Sequence, residues 1–335
     1  MAGFQKRTVG IVGGGAWGLA LAHLLAENGH TPLVWDRDPG RLSKLRRSHR
    51  DEDRLPGVSL NPKIRYVDEM GALKDAHFHV LVVKSAAVSE VLPRLKGEVS
   101  PKRLVSAVKG FVGETLRTVS QAVAEVLPDT TYAVLSGPSI ALEVVKGVPT
   151  SVVVASSDDS FAREVQMTFS GPTFRVYRQD DVLGVELGGA LKNIIAIASG
   201  ISDGLGFGTN SKGALLTRGL YEMVRFGTAL GARRDTFFGL AGMGDMITTS
   251  FSPNSRNRYV GEQLGRGRRI DEILGGMSMV AEGVRTAFIV RDKARELDVD
   301  VPITEAVCSI IEGKASPVEA LRLLMTRPLK REFYT

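Results

Sequence analysis

Two different spacings of hydrophobic residues divide the chain. From about residue 8 to residue 178, short runs rich in β-branched residues alternate with stretches of helical period; the runs are TVGIVG, TPLVWD, HVLVVK, RLVSAVK, TYAVLSG, TSVVVAS and FRVYR. Several of these runs are apolar throughout, as strands buried on both faces of a parallel sheet are. The alternation therefore predicts an α/β domain in which helices cover a parallel sheet.

From about residue 181 the hydrophobic spacing is helical. Segments such as VLGVELGGALKNIIAIASG, SKGALLTRGLYEMVRFGTAL and PVEALRLLM contain no strand-like alternation. The change of period predicts two domains, an α/β domain of residues 1–180 and an all-helical domain of residues 181–335. No apolar run approaches the roughly 18 residues of a membrane helix, so no integral membrane segment is expected.

The segment GGALKNIIAIASG predicts an apolar helix that contains a lysine and an asparagine. Burial is expected on most sides of such a helix, and a buried lysine is rare unless it has a partner. The alternative is that Lys192 lays its stem on the core and keeps its ammonium in water. Gly188 and Gly189 lie one turn before Lys192 and Asn193, which leaves room for a ligand or for a closely packed second helix.

The segment TVGIVGGGAWGLALAHLL predicts a strand, a glycine-rich turn and a helix. At the spacing of Gly13, Gly15 and Gly18, the first glycine allows a tight turn, the second admits a pyrophosphate, and the third lets the helix pack on the strand. Free N–H groups at the start of the helix would bind the phosphates. The first domain is therefore predicted to be a Rossmann-type dinucleotide-binding domain.

The second predicted strand ends in two residues that favour different cofactors. Asp36 favours NAD through the ribose 2′-hydroxyl, whereas Arg37 favours NADP through a 2′-phosphate. The Asp36 carboxylate can also turn away to pair with Arg41 or another base of the following segment. We therefore expect both NAD and NADP to serve, with discrimination of no more than about tenfold.

Polar residues at three other places are candidates for binding an anion. Lys84 and Lys109 follow predicted strands at the sheet edge where ligands bind, although either could be solvated. Ser139 either caps a short helix or faces a ligand. The segment Ser255–Asn257 stands where a helix is expected to begin, so N–H groups and a guanidinium would converge there on a phosphate. An ordinary capped helix with a solvated arginine is the alternative.

Composition and charge narrow the function class. The 335 residues carry a net charge of +6, which fits anionic small molecules better than nucleic acid. A single cysteine excludes an internal disulfide and a thiolate cluster, and no metal site is expected. All five histidines precede residue 80, so chemistry in the later half must use lysine, carboxylates or neutral polar groups. The start of the chain lacks a signal-peptide pattern, and a cytoplasmic location is expected.

Taken together, these segments closely resemble the bacterial NAD(P)-dependent glycerol-3-phosphate dehydrogenase family. The resemblance covers nearly the whole chain and is most specific in VELGGALKNIIAIASGISDGLGFGTNSKGALLTRGLYEM and in SRNR. It implies hydride transfer that interconverts dihydroxyacetone phosphate and sn-glycerol 3-phosphate, with glycerol 3-phosphate supplied to phospholipid synthesis. A phosphorylated small molecule is then the expected partner, and a homodimer is a compatible assembly.

The resemblance also implies roles for single residues. Lys192 is similar to the family's catalytic proton donor and acceptor, and Lys109 to a lysine that contacts both cofactor and substrate. Positions that match the substrate site, with Asn193 added as the polar neighbour of Lys192, are Lys109, Gly137, Ser139, Lys192, Asp245, Ser255, Arg256 and Asn257. Positions that match the cofactor site, besides those of the glycine-rich turn and Asp36, are Ala16, Trp17, Arg37, Lys109, Ala141, Arg256, Val280 and Glu282. Lys84 departs from the family pattern, which usually has proline there.

Two other hypotheses remain open at this point. A dehydrogenase of the β-hydroxyacid or 6-phosphogluconate type also places a lysine and an asparagine of one helix in its site. Its two residues lie about one turn apart, whereas Lys192 and Asn193 are adjacent. A nucleotide-sensing module without catalysis is the third hypothesis, and the combination of Lys109, Lys192, Asp245 and Arg256 argues against it.

Overall fold

Eight strands form a single sheet in the first part of the chain. The computed structural model describes residues 5–277, 281–329 and 331–332. The strands are β1 (Thr8–Val12), β2 (Thr31–Trp35), β3 (Arg65–Val67), β4 (Phe78–Leu81), β5 (Arg103–Ser106), β6 (Thr131–Ser136), β7 (Thr150–Ala155) and β8 (Phe174–Gln179). Their order is β3-β2-β1-β4-β5-β6-β7-β8. The sequence pattern missed only β3, an edge strand too short to show a period.

The predicted parallel sheet is confirmed for β1 to β6, and the last two strands depart from it. β7 pairs with β6 in the antiparallel direction, and β8 runs parallel to β7. An apolar run buried on both faces has the same composition in either direction, so the residues of β7 could not reveal its direction. The strand order reverses between β1 and β4. The carboxyl ends of two such strands border the ligand crevice in open sheets of this kind.

Helices cover both faces of the sheet. They are α1 (Ala16–Glu27), α2 (Pro39–Ser48), α3 (Val88–Glu98), α4 (Val119–Val126), α5 (Ala141–Val145) and α6 (Asp159–Phe169), with 3₁₀ turns at Met70–Leu73 and Ser85–Ala87. Ile11 packs in one core with Leu21 of α1, whereas the next residue, Val12, packs in a second core with Leu92 of α3. Because alternate strand residues point to opposite faces, both faces are apolar and the strands read as continuous apolar runs.

The described chain after the sheet is helical. Its helices are α7 (Val182–Gly204), α8 (Thr209–Ala229), α9 (Arg234–Phe238), α10 (Asp245–Phe251), α11 (Arg256–Gly265), α12 (Ile270–Gly275), α13 (Glu282–Glu296), α14 (Pro302–Ile311) and α15 (Pro317–Met325), with a π-helical turn at Leu240–Gly244. Residues up to Gly189 form one compact unit with Gly231–Asp245, and Ala190–Leu230 forms a second unit with the residues from Met246 onward. The predicted boundary after residue 180 coincides with the end of the sheet, and α7 begins in the first unit and continues in the second.

α7 is a buried helix. By length and composition alone it could cross a membrane, which the count of uninterrupted apolar residues had not indicated, but 89% of its most apolar stretch is buried inside the protein. Lys192 and Asn193 are 6% and 4% exposed, so Lys192 does not extend its ammonium into bulk water. The apolar surface of α7 thus serves the core, and its two polar residues are enclosed with it.

Within the second unit, α7 and α11 meet at their main chains. A Cβ at Gly261 of α11 would lie 2.0 Å from the carbonyl oxygen of Ile197, and one at Gly200 of α7 would lie 2.0 Å from the carbonyl oxygen of Arg258. The same close approach recurs one turn further along both helices. Because any side chain would push the helices apart, backbone contact fixes the position of α11 against α7.

Glu222 joins α8 to the start of α14 in the same unit. Its carboxylate accepts hydrogen bonds from the N–H groups of Ile303 and Thr304, at 2.7 and 2.9 Å, and from the Thr304 hydroxyl at 2.5 Å. The residue is 4% exposed, and burial raises the pKa of its carboxyl from 4.5 to about 7. Folding therefore favours the protonated form of this acid.

This raised pKa predicts that stability depends on pH through Glu222. A carboxyl that holds its proton more tightly in the folded chain contributes most below pH 4.5, and that contribution is lost as the pH rises through about 7. Between about pH 5 and pH 8, we expect the free energy of unfolding to fall by about 2–3 kcal/mol more in wild type than in Glu222→Gln. Chemical denaturation at both pH values measures the difference. Glu305→Gln, at an exposed position of α14, is the control, and equal pH dependence of wild type and Glu222→Gln would contradict this prediction.

Candidate functional site

The turn after β1 requires glycine at two of its three predicted positions. Gly13 has a φ of 118°, a conformation that other residues rarely adopt. A Cβ at Gly18 would lie 1.9 Å from the carbonyl oxygen of Gly13, so only glycine lets α1 pack this closely. Gly15 is the N-cap of α1, and a Cβ there would have no atom within 4 Å. The surface over Gly15 is therefore open at the start of the helix.

The start of α1 fits the pyrophosphate of a dinucleotide. Its first N–H groups have no side-chain cap, and a helix N-terminus carries partial positive charge. The indole Nε1 of Trp17 is buried and has no hydrogen-bond partner within the described part of the chain. Ala16, Trp17 and Ala141 of α5 pack against the same core. Since α1 also contacts α5, the structure brings together two helices that carry positions related by the resemblance to the cofactor.

Asp36 and Arg37 follow β2 and lie in different environments. Oδ2 of Asp36 accepts a hydrogen bond from the Gly14 N–H at 2.8 Å, so the carboxylate faces the glycine-rich turn. Arg37 is exposed. Of the two residues with opposite cofactor preferences, Asp36 is therefore held by a hydrogen bond within the protein, whereas Arg37 is exposed.

A second group of polar residues surrounds Lys109 in the first unit. Its Nζ donates to Oδ2 of Asp245 at 2.7 Å, to the carbonyl oxygen of Gly137 at 2.8 Å and to Oγ of Ser139 at 3.0 Å. The Lys109 and Asp245 side chains are 20% and 3% exposed, so this ion pair is largely shielded from solvent. Ser139 does not cap α5, whose N-cap is Ile140. Four predicted substrate-site residues therefore lie together here.

The room over Gly188 and Gly189 on α7 is filled by protein. A Cβ at Gly188 would lie 2.8 Å from the carbonyl oxygen of Ala241, and one at Gly189 would lie 2.9 Å from Oγ of Ser136 and 3.7 Å from Cγ of Lys109. The glycines thus admit a closely packed chain segment and the Lys109 stem. Oγ of Ser136 is buried, with no hydrogen-bond partner among the described residues. Sequence reasoning missed Ser136, and its place at the carboxyl end of β6 was the available signal.

A hydroxyl group holds the ammonium of Lys192 in the second unit. Nζ of Lys192 donates to Oγ1 of Thr249 on α10 at 2.6 Å. Sequence reasoning assigned no role to Thr249. It lies one turn after Asp245 on α10, and this spacing could have drawn attention to it.

Buried amides link α7, α11 and α13. Nδ2 of Asn257 donates to Oδ1 of Asn193 at 2.8 Å, and Oδ1 of Asn257 accepts from the N–H of Gly283 at 3.0 Å. The two asparagines are 9% and 4% exposed. This chain of hydrogen bonds fixes the orientation of both amides. Glu282 is the first residue of α13, whereas Val280 lies outside the described residues.

The segment Ser255–Asn257 begins α11, as predicted. Oγ of Ser255 accepts a hydrogen bond from the Arg258 N–H at 3.2 Å and so caps the helix. Arg256 is the first helical residue and is exposed. N–H groups, the positive end of the helix and a guanidinium thus occur at one place, a combination suited to a phosphate.

Lys84 stands where the family pattern usually has proline, and its backbone has a conformation that proline could also adopt. Its φ is −63°, within the range that a proline ring imposes. It precedes the 3₁₀ turn Ser85–Ala87, in which Ser85 is buried while Lys84 is exposed. The departure from the family pattern therefore concerns the side chain and not the path of the loop.

Comparisons with known proteins agree for both halves of the chain. Residues 8–162 match the family model described as NAD-dependent glycerol-3-phosphate dehydrogenase N-terminus, and residues 181–322 match the one described as its C-terminus. The chain is 45% identical over 332 residues to glycerol-3-phosphate dehydrogenase (NAD(P)+) of Syntrophotalea carbinolica, covering 97% of this chain and 99% of the relative. It is 46% identical over 332 residues to that of Citrifermentans bemidjiense, covering 97% and 98%.

Solved structures agree with this match. The crystal structure of glycerol-3-phosphate dehydrogenase from Coxiella burnetii has a TM-score of 0.91 and 34% identity, covering 96% of this chain and 99% of that chain. D-mandelate dehydrogenase, at 12% identity and a TM-score of 0.61, shares the fold alone. The matches to both halves therefore favour the first hypothesis over the β-hydroxyacid and 6-phosphogluconate alternative.

Proposed function

The chain belongs to the NAD(P)-dependent glycerol-3-phosphate dehydrogenase family, and we propose that Lys192, Lys109, Asp245 and Arg256 carry its reaction. It is an oxidoreductase that interconverts dihydroxyacetone phosphate and sn-glycerol 3-phosphate with NAD or NADP. Supply of glycerol 3-phosphate for phospholipid synthesis is the usual role of this enzyme. The observation that carries the proposed site is the enclosed ammonium of Lys192, bound to a neutral hydroxyl.

The start of α1 would hold the cofactor. Gly13, Gly15 and Gly18 shape the turn, and the first N–H groups of α1 would bind the pyrophosphate. When bound, the nicotinamide supplies or accepts the hydride. The protein's own contribution is then to bind the substrate and to move a proton.

Lys192 would move that proton. Reduction of the ketone leaves an alkoxide, and the Nζ ammonium can give its proton to that oxygen. Oγ1 of Thr249 accepts a hydrogen bond from the same Nζ at 2.6 Å, and this contact orients the ammonium. In the reverse direction, the neutral amine of Lys192 would take the proton from the alcohol.

Lys109 would supply a second cation in a fixed position. Three oxygen atoms, one of them from Asp245, accept hydrogen bonds from its Nζ. Since the Asp245 carboxylate is shielded from solvent, the ion pair holds the Lys109 ammonium in one position. The family resemblance is the reason to assign Lys109 to both the substrate and the cofactor.

Arg256→Ala is expected to weaken substrate binding more than it lowers kcat. A charge-assisted contact of about 1.5–3 kcal/mol would be lost, which corresponds to a rise in KM of about 10- to 150-fold. NADPH oxidation with dihydroxyacetone phosphate measures both parameters. Inorganic phosphate should compete with the substrate in wild type and much less in Arg256→Ala. Equal inhibition of both proteins would place the phosphate site elsewhere.

Two controls isolate the phosphate contact of Arg256. Unphosphorylated dihydroxyacetone keeps the ketone and lacks the phosphate, so its KM should be the same in wild type and Arg256→Ala. Arg266→Ala removes an exposed arginine at the other end of α11 and should change neither parameter. A wild-type enzyme that reduces a 3-keto acid in preference to dihydroxyacetone phosphate would support the β-hydroxyacid alternative.

We also propose a cytoplasmic location and a homodimer, with no nucleic-acid partner. The modest positive charge fits a small anionic substrate. Among the described residues, the one helix long and apolar enough to span a membrane is α7, and it is mostly buried inside the protein. Light scattering coupled to gel filtration would measure the size of the assembly.

A further inference from the structure

The protein itself binds both oxygens of the Asp36 carboxylate. Oδ2 accepts hydrogen bonds from the Gly14 N–H at 2.8 Å and from Nη1 of Arg41 at 3.3 Å, and Oδ1 accepts from the Asp38 N–H at 3.1 Å. The side chain is only 16% exposed. In this position the carboxylate supports the glycine-rich turn and does not extend toward a ribose.

Arg41 of α2 joins two carboxylates to that turn. Its Nε and Nη2 donate to Oδ2 of Asp51 at 2.9 and 2.6 Å, and Nη2 also donates to the carbonyl oxygen of Gly14. The Arg41 and Asp51 side chains are 12% and 6% exposed. Because a guanidinium is planar and permanently charged, these bonds hold it in one orientation. Arg41 is thus the cation that balances the charge of Asp36.

We propose that Arg41, oriented by Asp51, is a specificity-determining residue for the cofactor. By binding Asp36 it neutralises the acid that would repel a 2′-phosphate, and it leaves the 2′ position to the exposed Arg37. The chain therefore favours NADP over NAD. This inference rests on the proposed placement of the dinucleotide at the start of α1.

Nucleotide binding to the cofactor-free protein tests the inference without turnover. 2′,5′-ADP carries the 2′-phosphate, and 5′-AMP has a hydroxyl in its place; calorimetric titration gives Kd for each. Wild type should bind 2′,5′-ADP about tenfold more tightly than 5′-AMP, so the ratio of Kd for 5′-AMP to Kd for 2′,5′-ADP should be about ten. Arg41→Met should lower this ratio to about one or below, because Asp36 would then act unbalanced on the 2′-phosphate, whereas Asp51 keeps its ion pair with Arg54 at 3.5 Å. The ratio of kcat/KM for NADPH and NADH should shift in the same direction.

Two further variants separate the effect of Arg41 from general damage. Arg46→Met removes another arginine of α2, which binds Asp68 and the Tyr66 carbonyl oxygen, and it should leave the ratio unchanged. Asp36→Asn/Arg41→Met should keep at least the wild-type ratio, since the charge through which Arg41 acts is gone. A fall in the ratio in that double variant equal to that of the single variant would overturn the inference.

A third variant keeps the inference testable if Arg41→Met does not fold. Arg41→Met/Asp51→Asn also removes the buried charge that Arg41 would leave behind, and it should still lower the ratio because Asp36 remains unbalanced. Thermal unfolding identifies which variants are folded. An unchanged ratio in folded Arg41→Met or Arg41→Met/Asp51→Asn would overturn the inference. Failure of wild type to bind either nucleotide would overturn the placement of the cofactor and the inference with it, whatever the variants show.

Discussion

Lys192→Ala is expected to lower kcat and kcat/KM together by about 10²- to 10⁴-fold, the usual contribution of general acid catalysis. The ammonium gives its proton as the alkoxide forms, so the lost interaction belongs to the transition state and not to substrate binding. KM for dihydroxyacetone phosphate should therefore change little. Steady-state oxidation of NADPH measures these parameters, and a primary amine added to the variant should restore part of kcat.

Lys212→Ala is the matched control for this result. Lys212 lies in the same unit, its side chain is 13% exposed, and its Nζ binds Asp203 at 3.0 Å. Its removal deletes a comparable ammonium outside the proposed site and should leave kcat unchanged. A Lys192→Ala enzyme that keeps more than about a tenth of the wild-type kcat would exclude Lys192 as the proton donor.

Lys109→Met is expected to lower both stability and activity. Its Nζ lies 2.7 Å from a carboxylate that is 3% exposed, and Lys109→Met removes a cation that is bonded to this buried charge. Since Lys109 itself is 20% exposed, we expect the lower end of the usual cost, a loss of about 3 kcal/mol in the free energy of unfolding. Lys109→Met/Asp245→Asn removes both charges and should recover most of the stability without recovering activity.

Chemical denaturation and steady-state kinetics on the same four proteins measure the two effects. The set consists of wild type, Lys109→Met, Asp245→Asn and the double variant, which together form a double-mutant cycle. A loss of stability in the double variant equal to the sum of the losses in Lys109→Met and Asp245→Asn would show that the two residues are not energetically coupled. Recovery of activity in the double variant would reduce the role of Lys109 to neutralising Asp245.

The glycine-rich turn was predictable because its chemistry is local. Gly13 and Gly18 stand where the chain must turn and where a helix must approach a strand, and both requirements follow from residues a few positions apart. The pairing of Lys192 with Thr249 was not predictable in this way, because the two residues are 57 positions apart and only the packing of α7 and α10 brings them together. Similarly, nothing in the composition of β7 distinguishes its antiparallel direction.

The cofactor preference could be predicted from the sequence only in part. The sequence indicated that Asp36 could pair with Arg41, since the two residues are five positions apart. It did not indicate that Asp51 would hold Arg41 in place, or that the Gly14 N–H would bind the same carboxylate. From the sequence alone, the opposite cofactor preferences of Asp36 and Arg37 therefore carried equal weight. Only the tertiary contacts show that the protein itself binds the Asp36 carboxylate.

The main-chain contact between α7 and α11 fixes the spacing of two residues of the proposed site. Lys192 precedes Gly200 by about two turns, and Arg256 precedes Gly261 by about one and a half turns, so two helices packed at their glycines carry the proposed proton donor and the proposed phosphate site. At these contacts the main chains touch, and no shorter side chain could bring the two ends closer. Backbone atoms, and not adjustable side chains, therefore set the distance between these two residues. If both contact the substrate as proposed, we expect a longer sugar phosphate to be accepted poorly, because a wider spacing would require the two main chains to move apart.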